Sequence, residues 1–316
     1  MMSDGIAKPS FWQRFWAFRY VHFVILFVVT NIMYVLAQLI AIVPAAVHAY
    51  SLHLKGARRE VIEHYDYGVS GGLLVVIGSL LLSALLIWGY VALSRWLERR
   101  QDSDFALTRM PQRLALGAVI GFVLLTGSIG LQWLLGDAQI AVGHQFIFSA
   151  PTIIPVICAP IFEELIMRGV VLRIFEKMYG SWVALVISAA LFGFAHIANP
   201  HASVLAAISI AIEAGLLLGM AYITTRSLWL PIGLHFGWNF TEGDFWGAPD
   251  SGNAIHGFFE TTTHGNALIT GGTFGPEASL ITPALCLIAT FFLYRVARQN
   301  GNWQPLRRQH FGPIAA

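Results

Sequence analysis

Glu163, Glu164 and Arg168 stand in the run Phe162-Glu163-Glu164-Leu165-Ile166-Met167-Arg168, with apolar sequence on both sides. At the centre of a membrane-embedded helix such charges cost roughly 2.5–3.5 kcal/mol each, so a chain keeps them there for pairing or for chemistry. Two further polar pairs follow at helical spacing, Phe192…His196 and His235…Asn239. Carboxylate, imidazole and amide together point to chemistry performed inside a bilayer. The spacings sort the groups. Glu164 and Arg168 are i,i+4 with the acid first, the favourable order for an ion pair on one helix face. Glu163 is turned by about 100° from its neighbour and can face elsewhere. His235 and Asn239 are again i,i+4 and present two stacked donors.

The elements that must position these groups follow from hydropathy. Of 316 residues, 56% are hydrophobic and 11% charged, where a soluble domain carries about 25% charge. A soluble globular domain is thereby excluded, and nothing points to nucleic acid. The expected fold class is all-α, a polytopic membrane protein of about eight transmembrane helices around a polar intramembrane cavity open to the inner side, because water and irregular polar surface are tolerated at depth only around such a cavity. Apolar runs lie near 21–48, 70–94, 114–136, 142–170, 180–198, 202–224, 227–245 and 278–294. Three N-terminal spans fill 1–140, a helical core 141–245, and an outer loop, last span and tail 246–316. Met1 to Ser10 lack a signal-peptide pattern. Cys158 and Cys286 sit in apolar runs and read as packing residues rather than a disulfide.

Charge asymmetry orients the chain. With the N-terminus inside, all of the 19 Lys and Arg residues except Lys55, Arg58 and Arg59 fall on the inner side or, for Arg168, within the membrane. The outer loop from about 242 to 277 carries Glu242, Asp244, Asp250, Glu260 and Glu277 and no Lys or Arg. Both termini are then cytoplasmic. Counting from the inner surface at Arg173 and Arg226, Glu163 and His235 both lie about 14 Å deep, and the hairpin around Tyr179-Gly180 returns His196 to the depth of Glu163. Pro160 is expected to start a new helical segment, placing Glu163 near a positive helix end.

At these residues the chain resembles the CPBP family of intramembrane proteases, the CAAX-processing and bacteriocin-processing (Abi) enzymes. The motifs are Glu163-Glu164-x-x-x-Arg168, Phe192-x-x-x-His196 and His235-x-x-x-Asn239, in that order over about 145–245. The late Gly271-Gly272-Thr273-Phe274-Gly275-Pro276-Glu277 resembles bacterial members. The resemblance implies peptide-bond hydrolysis by an activated water. Glu163 would be the general base, helped by His196. His235 and Asn239 would donate to the oxyanion, and Glu164 with Arg168 would hold the helix. It implies a membrane-associated or lipidated peptide as substrate, membrane lipid as surroundings, and a metal-independent site. A zinc reading stands beside it, with Glu163, His196 and His235 as ligands and water in the fourth position.

Each residue also has a plainer reading. A Glu–Arg pair often only clamps helices, and buried histidines often serve as interhelical glue. Phe192 reads as packing beneath the histidine. Glu213, a fourth acid at membrane depth, either lines the cavity or accepts a structural hydrogen bond, from a site histidine among others. Two other function classes remain beside the protease. One is a non-catalytic scaffold or immunity-type protein of the same fold, and the other is a transporter using the same acids.

Overall fold

The computed structural model describes residues 21–33, 35, 68–99, 104–143 and 150–306. It is built from helical rods running alternately up and down: α1 (Val21–Met33), α2 (Gly68–Glu98) and α3 (Met110–Leu134), then a rod made of α4 (Ala150–Glu164), a π-helical stretch Leu165–Leu172 and α5 (Arg173–Tyr179). A single turn at Gly180 leads into α6 (Ser181–Ala195). The next rod is α7 (Val204–Ile210), a π stretch Ala211–Leu216 and α8 (Leu217–Thr225), followed by α9 (Trp229–Asn239) with its π extension Phe240–Phe245. The short α10 (Ala267–Thr270) precedes the last rod, α11 (Ile281–Gln299). Among the described residues, five helices are long and apolar enough to cross a membrane: Val76–Glu98, Met110–Leu134, Ser181–Ala198, Val204–Thr225 and Ile281–Gln299. The chain is an all-α multi-pass membrane protein, with Leu81, Trp88, Val123 and Phe292 among the large apolar side chains it turns outward.

One end of the bundle is tied by the basic residues. Arg173 bonds Glu98 at 2.6 Å and its own helix at Gly169 O. Tyr90 and Tyr222 both donate to Asp104, at 3.1 and 3.0 Å, and Arg226 pairs with Glu176. The core above this end is built on Leu165, Leu172, Leu185, Met220 and Ile223, all buried. Residues 36–48, the second half of the first expected span, lie outside the described residues.

α3 and α9 cross backbone against backbone. A Cβ at Gly117 would stand 2.4 Å from Leu230 O and one at Gly121 2.4 Å from Leu234 O. From the other side, Gly233 and Gly237 would meet Leu114 O and Ala118 O, each at 2.3 Å. Two Gly-x-x-x-Gly faces thus press backbone on backbone, the contact that packs helices where lipid gives no hydrophobic drive.

Two sequence expectations are corrected. Pro160 starts no new segment: α4 runs through it from Ala150 to Glu164, and the departure from α geometry comes at Leu165. A helix enclosed by neighbours tolerates the one hydrogen bond that proline removes, so Glu163 has no helix N-terminus beside it. The fourth span also does not begin at 142. Ala138–Val142 is a strand, β1, paired antiparallel with β2 (Phe259–Thr263) from the outer loop, Ala138 opposite Thr263 and Val142 opposite Phe259. Backbone pairing across the loop competes successfully with helix at the acidic end of the bundle.

Candidate functional site

Three elements bring the motifs together. The rod 150–179 supplies Glu163 and Glu164 from the last turn of α4 and Arg168 from the π stretch. The end of α6 supplies Phe192, and His196 follows it. α9 supplies His235 and, one turn on, Asn239. Glu164 and Arg168 are fully buried and joined at 2.8 Å. Arg168 reaches further, donating to Ala214 O at 2.8 Å and Gly215 O at 3.1 Å. Those carbonyls lie in the π stretch 211–216, where the wide turn disturbs the regular i−4 ladder. The guanidinium also stacks 4.7 Å over the Phe192 ring. Charge, hydrogen bonds and ring face together supply what hydrocarbon would deny it.

His235 is held by both acids. Its Nδ1 lies 3.1 Å from Glu164 Oε1, and its Nε2 lies 3.9 Å from Glu163 Oε2. A carboxylate only accepts, so Nδ1 carries the proton and Nε2 is the nitrogen turned toward Glu163. Glu163 is the less enclosed acid, its side chain 28% exposed, while Oε2 is itself buried and has no hydrogen-bond partner among the described residues. Glu163 therefore faces the accessible side of the site and Glu164 faces the protein. Asn239 is buried at the end of α9, directly before the π extension.

His196 arrives differently. It is half-buried in a short 3₁₀ turn, and its Nδ1 lies 2.8 Å from Phe192 O. Because a carbonyl only accepts, that nitrogen bears the proton and Nε2 carries the free lone pair. Phe192 lies between the histidines, its centroid 4.8 Å from His196 and 6.1 Å from His235. Among the described residues, the histidine nitrogen within 4.0 Å of Glu163 belongs to His235.

Glu213 requires a correction. It is fully buried in the π stretch 211–216, and neither carboxylate oxygen has a hydrogen-bond partner among the described residues, so it accepts nothing from a site histidine. Its electrostatic neighbour is Glu277. Among the described residues, the three-residue group whose ligand atoms lie within 4.8 Å of one another is Glu242, Asp250 and Glu277, not Glu163, His196 and His235. Cys158 donates weakly to Ser79 O across the interface with α2, and both cysteines are buried and free.

Several contributors carried no motif. The carbonyls of Ala214 and Gly215 that receive Arg168 have no side-chain signature. The turn after His196 is fastened to the outer loop by Asn199 Nδ2 donating to Ser251 O at 3.2 Å. The glycine faces of α3 and α9 did have a sequence signal, Gly117-x-x-x-Gly121 and Gly233-x-x-x-Gly237, with His235 inside the second.

Residues 145–241, just under a third of the chain, match the family model described as Type II CAAX prenyl endopeptidase Rce1-like. No curated protein and no solved structure matches the chain.

Proposed function

We propose that this chain is an intramembrane endopeptidase that hydrolyses a peptide bond of a membrane-associated or lipidated peptide, with Glu163 activating the attacking water; the match of residues 145–241 to an Rce1-like CAAX endopeptidase model in a multi-pass membrane protein supports this reading. The observation that carries this reading is the division of labour between the adjacent acids. Glu164 is fully buried and bonds Arg168 and His235 through one oxygen, Oε1, and Glu163 is left partly exposed.

The steps use this chain's own groups. Glu163 accepts a proton from water and delivers it to the leaving amine. His196, whose Nδ1 is occupied by Phe192 O, offers Nε2 as a second acceptor for that water. His235 and Asn239 donate to the carbonyl oxygen as it becomes an oxyanion, an interaction worth about 2.7–4 kcal/mol per donor. With Nδ1 committed to Glu164, His235 donates at Nε2 only as the doubly protonated ring. No step requires a metal. The Lys/Arg bias supports cytoplasmic termini, and the resemblance of the late glycine-rich turn to bacterial members supports a bacterial cytoplasmic membrane.

The test is cleavage of a quenched lipidated-peptide library by the full-length protein in detergent. Wild type and Glu163→Gln are compared, each with and without phenanthroline. The expected result is cleavage by wild type that survives the zinc chelator and is lost in the variant at unchanged melting temperature. Cleavage by the variant at the wild-type rate overturns the assignment of Glu163. Loss under phenanthroline with rescue by zinc overturns the metal-free mechanism.

A further inference from the structure

The outer loop closes over the bundle with three acids that the proposed hydrolysis does not use. Glu242 comes from the π extension of α9, Asp250 from the loop itself and Glu277 from the turn before α11. Their exposures are 0%, 8% and 5%, and one oxygen of each lies within 4.8 Å of the others. Glu277 is partly satisfied: Oε1 accepts from Trp238 Nε1 at 3.0 Å, and Oε2 from Ser251 N and Oγ at 3.0 and 2.6 Å. Glu242 is not. Both of its oxygens are buried without a hydrogen-bond partner among the described residues, although one belongs to the cluster. The stretch that carries the three acids supplies no compensating cation, since no Lys or Arg occurs between Arg226 and Arg295.

Buried carboxylates this close cannot all remain ionised without a counter-charge. The donor set decides between candidate ions. Three carboxylates offer six oxygens and neither nitrogen nor sulfur, the preference of a hard cation. Calcium binds oxygen at about 2.3–2.6 Å, so oxygens on opposite sides of one ion stand about 4.6–5.2 Å apart, the span of this cluster.

We propose that Glu242, Asp250 and Glu277 form a binding site for a hard divalent cation of the calcium class, which fastens the outer loop to the ends of α9 and α11. The ion joins three points that no continuous element links. Through Ser251, which bonds both Glu277 and Asn199, it also steadies the turn carrying His196. This site stands independently of the protease reading.

The experiment uses the full-length protein in detergent, stripped with a chelator. Binding is followed by terbium luminescence sensitised through Trp238, which touches Glu277, and by thermal unfolding with Ca²⁺ or Mg²⁺ added back. Wild type is expected to give a saturable terbium signal displaced by Ca²⁺ and a melting temperature raised by several degrees. Glu242→Gln and Asp250→Asn should lose both responses, yet unfold at or above the wild-type temperature in chelator, where removing an unpaired charge helps. That reversal separates a lost ion from a lost fold. The proposal is overturned if wild type ignores Ca²⁺ and Mg²⁺ up to about 10 mM, an order of magnitude above the weakest calcium modules. It is equally overturned if only Zn²⁺ acts, or if Glu242→Gln is the more stable protein with and without the ion, since protons alone then neutralise the cluster.

Discussion

Glu164 receives His235 Nδ1 at 3.1 Å on the same oxygen, Oε1, that receives Arg168 Nη1 at 2.8 Å. The histidine is therefore oriented by an acid that is already charge-balanced. The adjacent Glu163 faces the other imidazole nitrogen at 3.9 Å without a direct hydrogen bond. One helical step of about 100° separates the fully buried acid bonded to Arg168 and His235 from the more exposed one.

Replacing each acid by its amide should separate these duties. Glu163→Gln is expected to lower peptide cleavage by about 10²–10⁴-fold, the usual contribution of a general base, with unfolding unchanged. Glu164→Gln removes half of a buried ion pair and should cost about 3–5 kcal/mol of stability. Equal melting temperatures for the two variants would contradict this division.

A paired substitution tests what Arg168 is for. Glu164→Gln with Arg168→Met removes both charges, and stability should return toward wild type, because a buried pair is often replaceable by apolar groups. Activity should stay low, since His235 keeps no anionic partner at Nδ1. Recovery of full cleavage in this double variant would show that the pair is structural only.

Phe192 touches Arg168, His196 and His235 at once. Phe192→Leu keeps an apolar side chain but loses the ring face under the guanidinium, a contact worth about 2 kcal/mol when desolvated. Roughly tenfold slower cleavage is expected alongside a lower melting temperature. An unchanged rate in a folded variant would reduce Phe192 to filler.

The glycine crossing gives a prediction with a built-in control. Gly237→Ala would place a methyl 2.3 Å from Ala118 O and should force α9 away from α3, impairing both stability and cleavage. Gly130→Ala, also on α3, meets nothing within 4 Å. It should be neutral or stabilising by about 0.5–1 kcal/mol through helix propensity. Similar behaviour of the two variants would rule out the backbone contact as the reason for the first.

What could be read from the chain is what depends on local spacing and hydropathy. Among the described residues the rods follow the apolar runs apart from the start of the fourth, and the i,i+4 relation of Glu164 to Arg168 corresponds to a 2.8 Å contact. Counting residues along helices placed Glu163, His196 and His235 at one depth. Depth, however, does not fix the direction in which a side chain points, and the nitrogen beside Glu163 belongs to His235. Pro160 misled because proline costs depend on surrounding packing, which the local sequence does not contain. The pairing of Ala138–Val142 with Phe259–Thr263 spans more than a hundred residues and has no spacing signature. Glu242, Asp250 and Glu277 likewise meet only because the outer loop folds back.

The reciprocal glycine faces have one more consequence. α3 ends at Leu134, before the recognised segment begins at 145, yet it sets how close α9 can lie and hence where His235 stands. Recognition by motif and construction of the site therefore have different borders. The matched portion of the chain borrows its mould from a helix outside it, and variation along α3 can shift His235 while every residue of the three motifs stays the same.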